Sequence, residues 1–337
     1  MMLLTTEATT TMKAMVRERY GPPDVVQLRE VEKPELADDG ILVRVRASSI
    51  NRADWHALRG TPMLARPMMG GIFKPKSTLI GSDFAGVVEA VGKDVTGLEP
   101  GDEAFGGRTG AFAEYVCARM GFARKPANVT FEEAASMPVG ALTALQGLRD
   151  HGRVQAGQRV LINGASGGVG VYAIQVAKAL GAEVTAVCST RNLEQAGALG
   201  ADDLVDYTRD DFTRIGRRYD VLLDIAGGKS WSACRRVLEP DGWLVLVGAE
   251  GRGALLGPLG HIARMKLASV RGSQKLVFFI AKINRPDMNV LRDLVETGKV
   301  KPVVERRYDL SELTEAFRRF GEGHVRSKLV ITIDDVG

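Results

Sequence analysis

The segment Val160–Gly170, VLINGASGGVG, carries the clearest chemistry in the chain. An apolar run enters a glycine-rich turn, VYAIQVAKALG follows with the pattern of a helix, and EVTAVCS comes next as a second strand. Small residues from Gly164 to Gly168 let the backbone approach a pyrophosphate closely. The N–H groups around Ser166, Gly167, Gly168 and Val169 open the helix, and the helix dipole favours negative charge there. Gly170 allows the helix to pack tightly on the sheet. Ala165 stands where the common G-x-G-x-x-G pattern has its first glycine, so the complete strand–turn–helix–strand frame carries the reading as much as the glycines do. The bland alternative is a glycine turn that binds nothing.

About 20 residues beyond such glycines, sites that select NAD place a carboxylate on the ribose 2′-hydroxyl. This chain reads Cys188-Ser189-Thr190-Arg191-Asn192 there, and Glu183 comes too early to serve. The two hydroxyls of Ser189 and Thr190 and the guanidinium of Arg191 suit a 2′-phosphate, which predicts NADPH rather than NADH. A surface arginine opening the next helix is the other reading of Arg191.

These groups need a scaffold of two kinds. From Lys13 to about Leu142 the chain reads as short strands and turns, with ILVRVRASSI alternating at period two and GSDFAGVVEAVG bounded by glycines. The clearest turn is Leu98-Glu-Pro-Gly-Asp102. From near Pro138 to about Val300, strands such as RVLINGA, EVTAVCS, DVLLDIA and WLVLVGA alternate with helical stretches, which predicts a parallel sheet. The tail DLSELTEAFRRFGEGHVRSKLVITI opens on a helix cap at Asp309 or Ser311 and closes on a β-branched strand expected to return to the first domain. Residues 62–77 break the pattern with three prolines and two adjacent glycines, and read either as a flap over a pocket or as a plain surface insertion.

Length and composition set the limits. A chain of 337 residues suggests two domains, and 45% hydrophobic with 26% charged residues is an ordinary globular mixture. The net charge of +4 is spread along the chain, so nucleic acid is a poor partner, while mild basicity suits an anionic dinucleotide. Cys117, Cys188 and Cys234 are an odd, widely spaced set that favours a reducing compartment, read here as the cytoplasm. The opening MMLLTTEATTT reads as a disordered leader, and no stretch reaches membrane-spanning length.

Taken together, KAMVRERYGPPDVVQLREV, Asn51-Arg-Ala-Asp54, GSDFAGVVEAVG with LEPGDEAFG, AASMPVGALTALQGL, INGASGGVG and YDVLLDIAGG resemble the medium-chain dehydrogenase/reductase superfamily. The resemblance covers almost the whole chain and is nearest to the zinc-independent quinone oxidoreductase branch. It implies an α/β protein: a GroES-like, mainly β catalytic domain over 12–138 and 305–337, and a Rossmann doubly wound parallel sheet over 139–304. The active site would lie in the cleft between them. It also implies a homodimer joined at an edge of the Rossmann sheet, through WLVLVGA or the segment around LASVRGS.

By the same resemblance, Asn51 lies near the nicotinamide ribose and the substrate carbonyl, and Thr143 approaches the nicotinamide. Gly168 and Val169 belong to the pyrophosphate turn, and Ser189 and Arg191 to the 2′-phosphate pocket. Tyr207 lies by the adenosine phosphate, and Ala226 and Gly248 end strands lining the cofactor. Phe278 or Phe279 covers the nicotinamide, with core packing as the alternative, and Ser327 and Lys328 form a late polar pair near the phosphates. Where zinc-dependent relatives carry a His-Glu ligand pair this chain has Gly81-Ser82-Asp83, and no C-x₂-C spacing occurs, so no metal is expected. Trp55-His56 stands where quinone reductases often place a tyrosine. His56 is a candidate proton donor, with a structural or specificity-setting role as the alternative. The implied reaction is hydride transfer from NADPH to a small quinone or α,β-unsaturated carbonyl. A zinc-free alcohol dehydrogenase, an enoyl-thioester reductase and an NADPH-binding regulatory protein without turnover are the alternatives.

Overall fold

The computed structural model describes residues 10–67, 71–248, 258–270 and 272–333. The leader before Thr10, the tip of the expected flap at residues 68–70, and Ala249 and Arg271 of the expected pairing segments lie outside the described residues.

The first half is built from β1 (Thr11–Val16), β2 (Gln27–Glu32), β3 (Ile41–Ser49), β4 (Asp83–Val91), β5 (Glu103–Gly107), β6 (Tyr115–Ala118) and β7 (Phe122–Arg124). Six parallel strands follow: β8 (Arg159–Asn163), β9 (Glu183–Cys188), β10 (Asp203–Asp206), β11 (Tyr219–Asp224), β12 (Leu238–Leu246) and β13 (Lys275–Phe278). The chain then closes with β14 (Val304–Asp309) and β15 (Lys328–Thr332).

The last two strands do return to the first half. One sheet runs β14-β15-β3-β4-β5-β7, with β6 also paired to β3. Its register sets the site: Ser49 at the end of β3 faces Asp83 at the start of β4, and Val330 of β15 faces Ser49. Three strand ends therefore meet at one corner. The turn expected at Leu98–Asp102 joins β4 to β5, with Gly101 at φ 96 and the Glu99 N–H donating to Asp102 Oδ2 at 2.8 Å.

The second sheet has the order β10-β9-β8-β11-β12-β13. Strand order reverses between β8 and β11, so their carboxyl ends, Asn163 and Asp224, flank the crevice in which doubly wound sheets bind ligands. The helices Pro138–Gln146 and Gly170–Ala179 are almost wholly buried against this sheet. A second core lies under the first sheet, where Phe84, Phe112 and Phe317 are fully buried. The fold is thus a GroES-like domain joined to a Rossmann-like parallel sheet. Among the described residues no helix is long and apolar enough to cross a membrane.

Candidate active site

The glycine turn leaves β8 at Asn163. Gly164 has φ +88, a left-handed conformation that a side chain disfavours. A Cβ on Gly170 would come within 2.2 Å of Gly164 O, so the helix starts in direct contact with the turn. The Gly167 N–H closes the turn onto Gly164 O at 3.2 Å, while the Gly168 and Val169 N–H groups donate to no acceptor among the described residues. A Cβ on Gly167 would meet only Gly164 O, at 3.6 Å, which leaves that face open for close approach. These features fit a dinucleotide pyrophosphate.

The turn is also a domain crossing. Ser327 N–H donates to Ser166 O at 2.9 Å, and Gly167 and Ser327 form an isolated parallel bridge. Ser327 has φ 69, and its buried Oγ has no hydrogen-bond partner among the described residues. From there Lys328 runs past the turn, so that a Cβ on Gly168 would lie 3.0 Å from its Cδ. Its Nζ is buried and donates to Asn51 Oδ1 at 2.5 Å and to Asp83 Oδ2 at 3.1 Å. Lys328, expected with Ser327 as a polar pair near the phosphates, has its ammonium at Asn51 and Asp83. Its stem passes the glycine turn and its charge ends at Asn51, because Asp83 is the carboxylate that compensates it.

Asp83 organises this hub. Its Oδ2 also accepts from Asn51 Nδ2 and Ser49 Oγ, both at 2.8 Å, and its Oδ1 accepts from the Val139 N–H at 2.9 Å. The last bond reaches the first turn of Pro138–Gln146, the helix that carries Thr143. The Thr143 hydroxyl donates back to Val139 O at 2.6 Å, so its acceptor lone pairs are what remain for a ligand. Asn51 precedes the helix Arg52–Arg59, and its N–H donates to Asp54 Oδ2 at 2.8 Å. Ser82 Oγ donates to Asp54 Oδ1 at 2.5 Å. Burial outweighs these bonds and pushes the Asp54 carboxyl up to about 6.

Two stretches match family models: residues 37–127 the alcohol dehydrogenase GroES-like domain, and residues 199–331 a zinc-binding dehydrogenase. The mitochondrial NAD(P)H oxidoreductase RTN4IP1 of Mus musculus is 32% identical, over 98% of this chain and 91% of its own length. The chain belongs to the medium-chain dehydrogenase/reductase superfamily, in its quinone oxidoreductase-like branch. Within that branch, the chloroplastic NADPH-dependent alkenal/one oxidoreductase of Arabidopsis thaliana is 31% identical, over 95% of this chain and 79% of its own length. The structure of the quinone oxidoreductase from Coxiella burnetii superposes with a TM-score of 0.83 at 30% identity, covering 96% of this chain and all of that one. The protein is accordingly a nicotinamide-dependent oxidoreductase.

The residues expected at the adenosine end lie at the carboxyl ends of β9 and β10. The Thr190 hydroxyl is taken up by Asp206 Oδ2 at the end of β10, and Thr208 Oγ1 caps the other oxygen at 2.7 Å. These hydroxyls hold the Asp206 carboxyl below its ordinary range. Thr190, expected in the phosphate set, finds this acceptor because the strand pairing puts Asp206 opposite Cys188. Ser189 Oγ takes a bond from Asn192 Nδ2 at 3.1 Å, and Arg191 Nη2 donates across to His324 O at 3.0 Å. Tyr207 is exposed at the rim next to the end of β9.

Ala226 and Gly248 follow β11 and β12, where their N–H groups donate to Asn163 O and Asp224 O. A Cβ on Gly248 would come within 2.1 Å of Ile225 O. Phe279 is core rather than cover: it is buried, stacks on His151 with ring centroids 4.3 Å apart, and lies against Gly147. Phe278 ends the edge strand β13 half-buried. His56 has a buried Nδ1 without a hydrogen-bond partner among the described residues, and burial together with Arg52 lowers its pKa, which works against the charged form a proton donor would draw on. Sequence reasoning missed Asp83 and Ser49 as site residues, and the available signal was an acid opening the small and apolar run FAGVV of β4 and a serine pair closing β3. No group of three His, Cys, Asp or Glu side chains converges as a ligand set among the described residues.

Proposed function

We propose that the protein is a zinc-independent, NADPH-dependent reductase of a conjugated carbonyl or quinone. The observation that carries this reading is the course of Lys328, which links the pyrophosphate turn to the buried hub at Asn51 and Asp83. When bound, NADPH supplies the hydride. Lys328 spends two N–H groups on Asn51 and Asp83, and the Asn51 amide spends one on Asp83, so each retains a donor for an oxygen gaining negative charge. Such donors are held in place before reaction and shielded from water, where they count for most. Asp83 fixes the Asn51 amide with its Nδ2 toward the carboxylate and its Oδ1 toward Lys328.

A conjugated acceptor spreads that charge over an enolate or hydroquinone, which two hydrogen bonds can stabilise without a Lewis acid. The alkenal/one and quinone activities named for the Arabidopsis and Coxiella relatives support this acceptor class. Arg191 and Ser189 support NADPH over NADH, and Gly81-Ser82-Asp83 offers a donor set unsuited to zinc. Three free cysteines suit the cytoplasm. Exposed Leu267, Val270 and Ile280 beside the edge strand β13 suit a homodimer, with neither nucleic acid nor membrane as partner.

The test is consumption of NADPH and NADH with a quinone, an enal, an enoyl-thioester and a simple aldehyde. We expect NADPH with the quinone or enal to be fastest. Turnover of the aldehyde alone would refute the reading. Tight NADPH binding with no turnover would point to a binding module instead.

A further inference from the structure

Arg17 follows β1 and is 4% exposed. Its backbone N–H donates to Thr78 O at 2.8 Å, and its Cζ lies 5.2 Å from the centroid of the Tyr20 ring. Among the described residues its Nε and Nη1 are buried and meet no acceptor, while the guanidinium hydrogen-bonds with the Tyr20 side chain. Arg66 sits on the same ring, at 4.6 Å, but donates to Gly60 O and Ile72 O. Arg66 thus has two backbone acceptors, whereas Arg17 has the neutral Tyr20 side chain and two buried nitrogens without an acceptor. The Tyr20 hydroxyl donates to Gly71 O at 2.7 Å.

Asp54 is the carboxylate within electrostatic reach of Arg17, yet both of its oxygens are bonded to Ser82 and Asn51. Its carboxyl feels Lys328 and Asp83, and burial still leaves it raised. Arg17 thus feels Asp54, the carboxylate that holds the Asn51 N–H, without a hydrogen bond to it. A guanidinium does not shed its proton to relieve burial, and proteins bury charges paired. Removing an unpaired one is expected to be neutral or stabilising unless a ligand answers it.

We propose that Arg17 is an anion anchor of the substrate pocket, so that the acceptor reduced at Asn51 and Lys328 is an oxo-enoic acid whose carboxylate Arg17 holds. This rests on the reductase reading above. In the reaction the carbon–carbon double bond takes hydride from NADPH at one carbon and a solvent-derived proton at the other. NADPH is oxidised, and the carboxylate is unchanged. The cofactor phosphates have their own donors at the glycine turn and at Arg191, so the anion at Arg17 belongs to the substrate.

The experiment compares 4-oxo-2-pentenoate with its methyl ester in wild type, Arg17→Met and Arg17→Lys. A charge-assisted hydrogen bond predicts that the acid-to-ester ratio of kcat/KM falls about ten- to hundredfold in Arg17→Met, mainly through KM, with partial retention in Arg17→Lys. The thermal midpoint of Arg17→Met should hold or rise. Equal loss toward acid and ester, or a lowered midpoint with no change in the ratio, overturns the proposal. Calorimetry with the saturated product 4-oxopentanoate, its ester and inorganic phosphate separates this idea from the reductase reading. If nothing is reduced but 4-oxopentanoate binds wild type at least about tenfold more tightly than Arg17→Met, the anchor stands and the reductase reading falls. If wild type itself binds acid and ester alike, or phosphate as well as the acid, the anchor is refuted even if no variant folds.

Discussion

Replacing Lys328 by methionine removes a buried ammonium 3.1 Å from the Asp83 carboxylate and leaves that carboxylate with Ser49, Asn51 and the Val139 N–H as its partners. At an effective dielectric of about 20 the pair attracts by roughly 5 kcal/mol before desolvation is counted. Breaking one side of such a pair typically costs about 3–5 kcal/mol, because the other charge stays buried. The three remaining donors place Lys328→Met at the lower end of that range. Asp83→Asn should cost a similar amount, since Lys328 then keeps only neutral acceptors. The double variant buries no stranded charge, so the two losses should overlap by at least about 2 kcal/mol. Urea unfolding followed by Trp55 measures this, because Trp55 lies on the helix that begins after Asn51 and packs on Phe317 and Phe320. A background in which Trp231 and Trp243 are phenylalanine leaves Trp55 as the signal. Losses that add to within about 0.5 kcal/mol would refute the coupling and with it the compensation of Lys328 by Asp83.

Asp54 gives a pH prediction. Its folded value near 6 lies above the ordinary 3.8, so the native state binds its proton more tightly and stability falls as pH rises between those values. At about 1.36 kcal/mol per pH unit the penalty above pH 6 is about 3 kcal/mol. Urea midpoints should therefore show Asp54→Asn gaining on wild type by up to that amount from pH 4 to pH 7.5, and a constant difference would contradict it. Arg191→Ala should weaken NADPH about tenfold or more and NADH far less in fluorescence titrations, whereas equal losses would remove the 2′-phosphate assignment. Gly140→Ala would place a Cβ 2.3 Å from Gly168 O, forcing its helix away from the pyrophosphate turn. It should cost about 1–3 kcal/mol of stability and raise the NADPH dissociation constant, and unchanged binding would show that the turn tolerates the shift.

The local order of the chain was legible in its residues. The strand–turn–helix frame at 159–188, the parallel alternation after it and the closing β-branched strand all rest on periodicity and turn chemistry, which act between near neighbours. The glycine turn was legible for the same reason, since Gly164 and Gly170 serve contacts within a few residues of one another. Asp83 was visible only as a missing zinc ligand, and Lys328 only as a residue near phosphates. The registers that set Ser49 against Asp83 and Val330 against Ser49 bring Lys328 from the far end of the chain to Asn51. Thr190 read only as a phosphate ligand, and the pairing of β9 with β10 adds Asp206 as an acceptor for its hydroxyl. By itself the sequence determined which groups exist and which elements they ride on. Tertiary structure decided which charges are buried together, because compensation of a buried charge depends on a distance of a few ångströms between residues that the chain separates by hundreds.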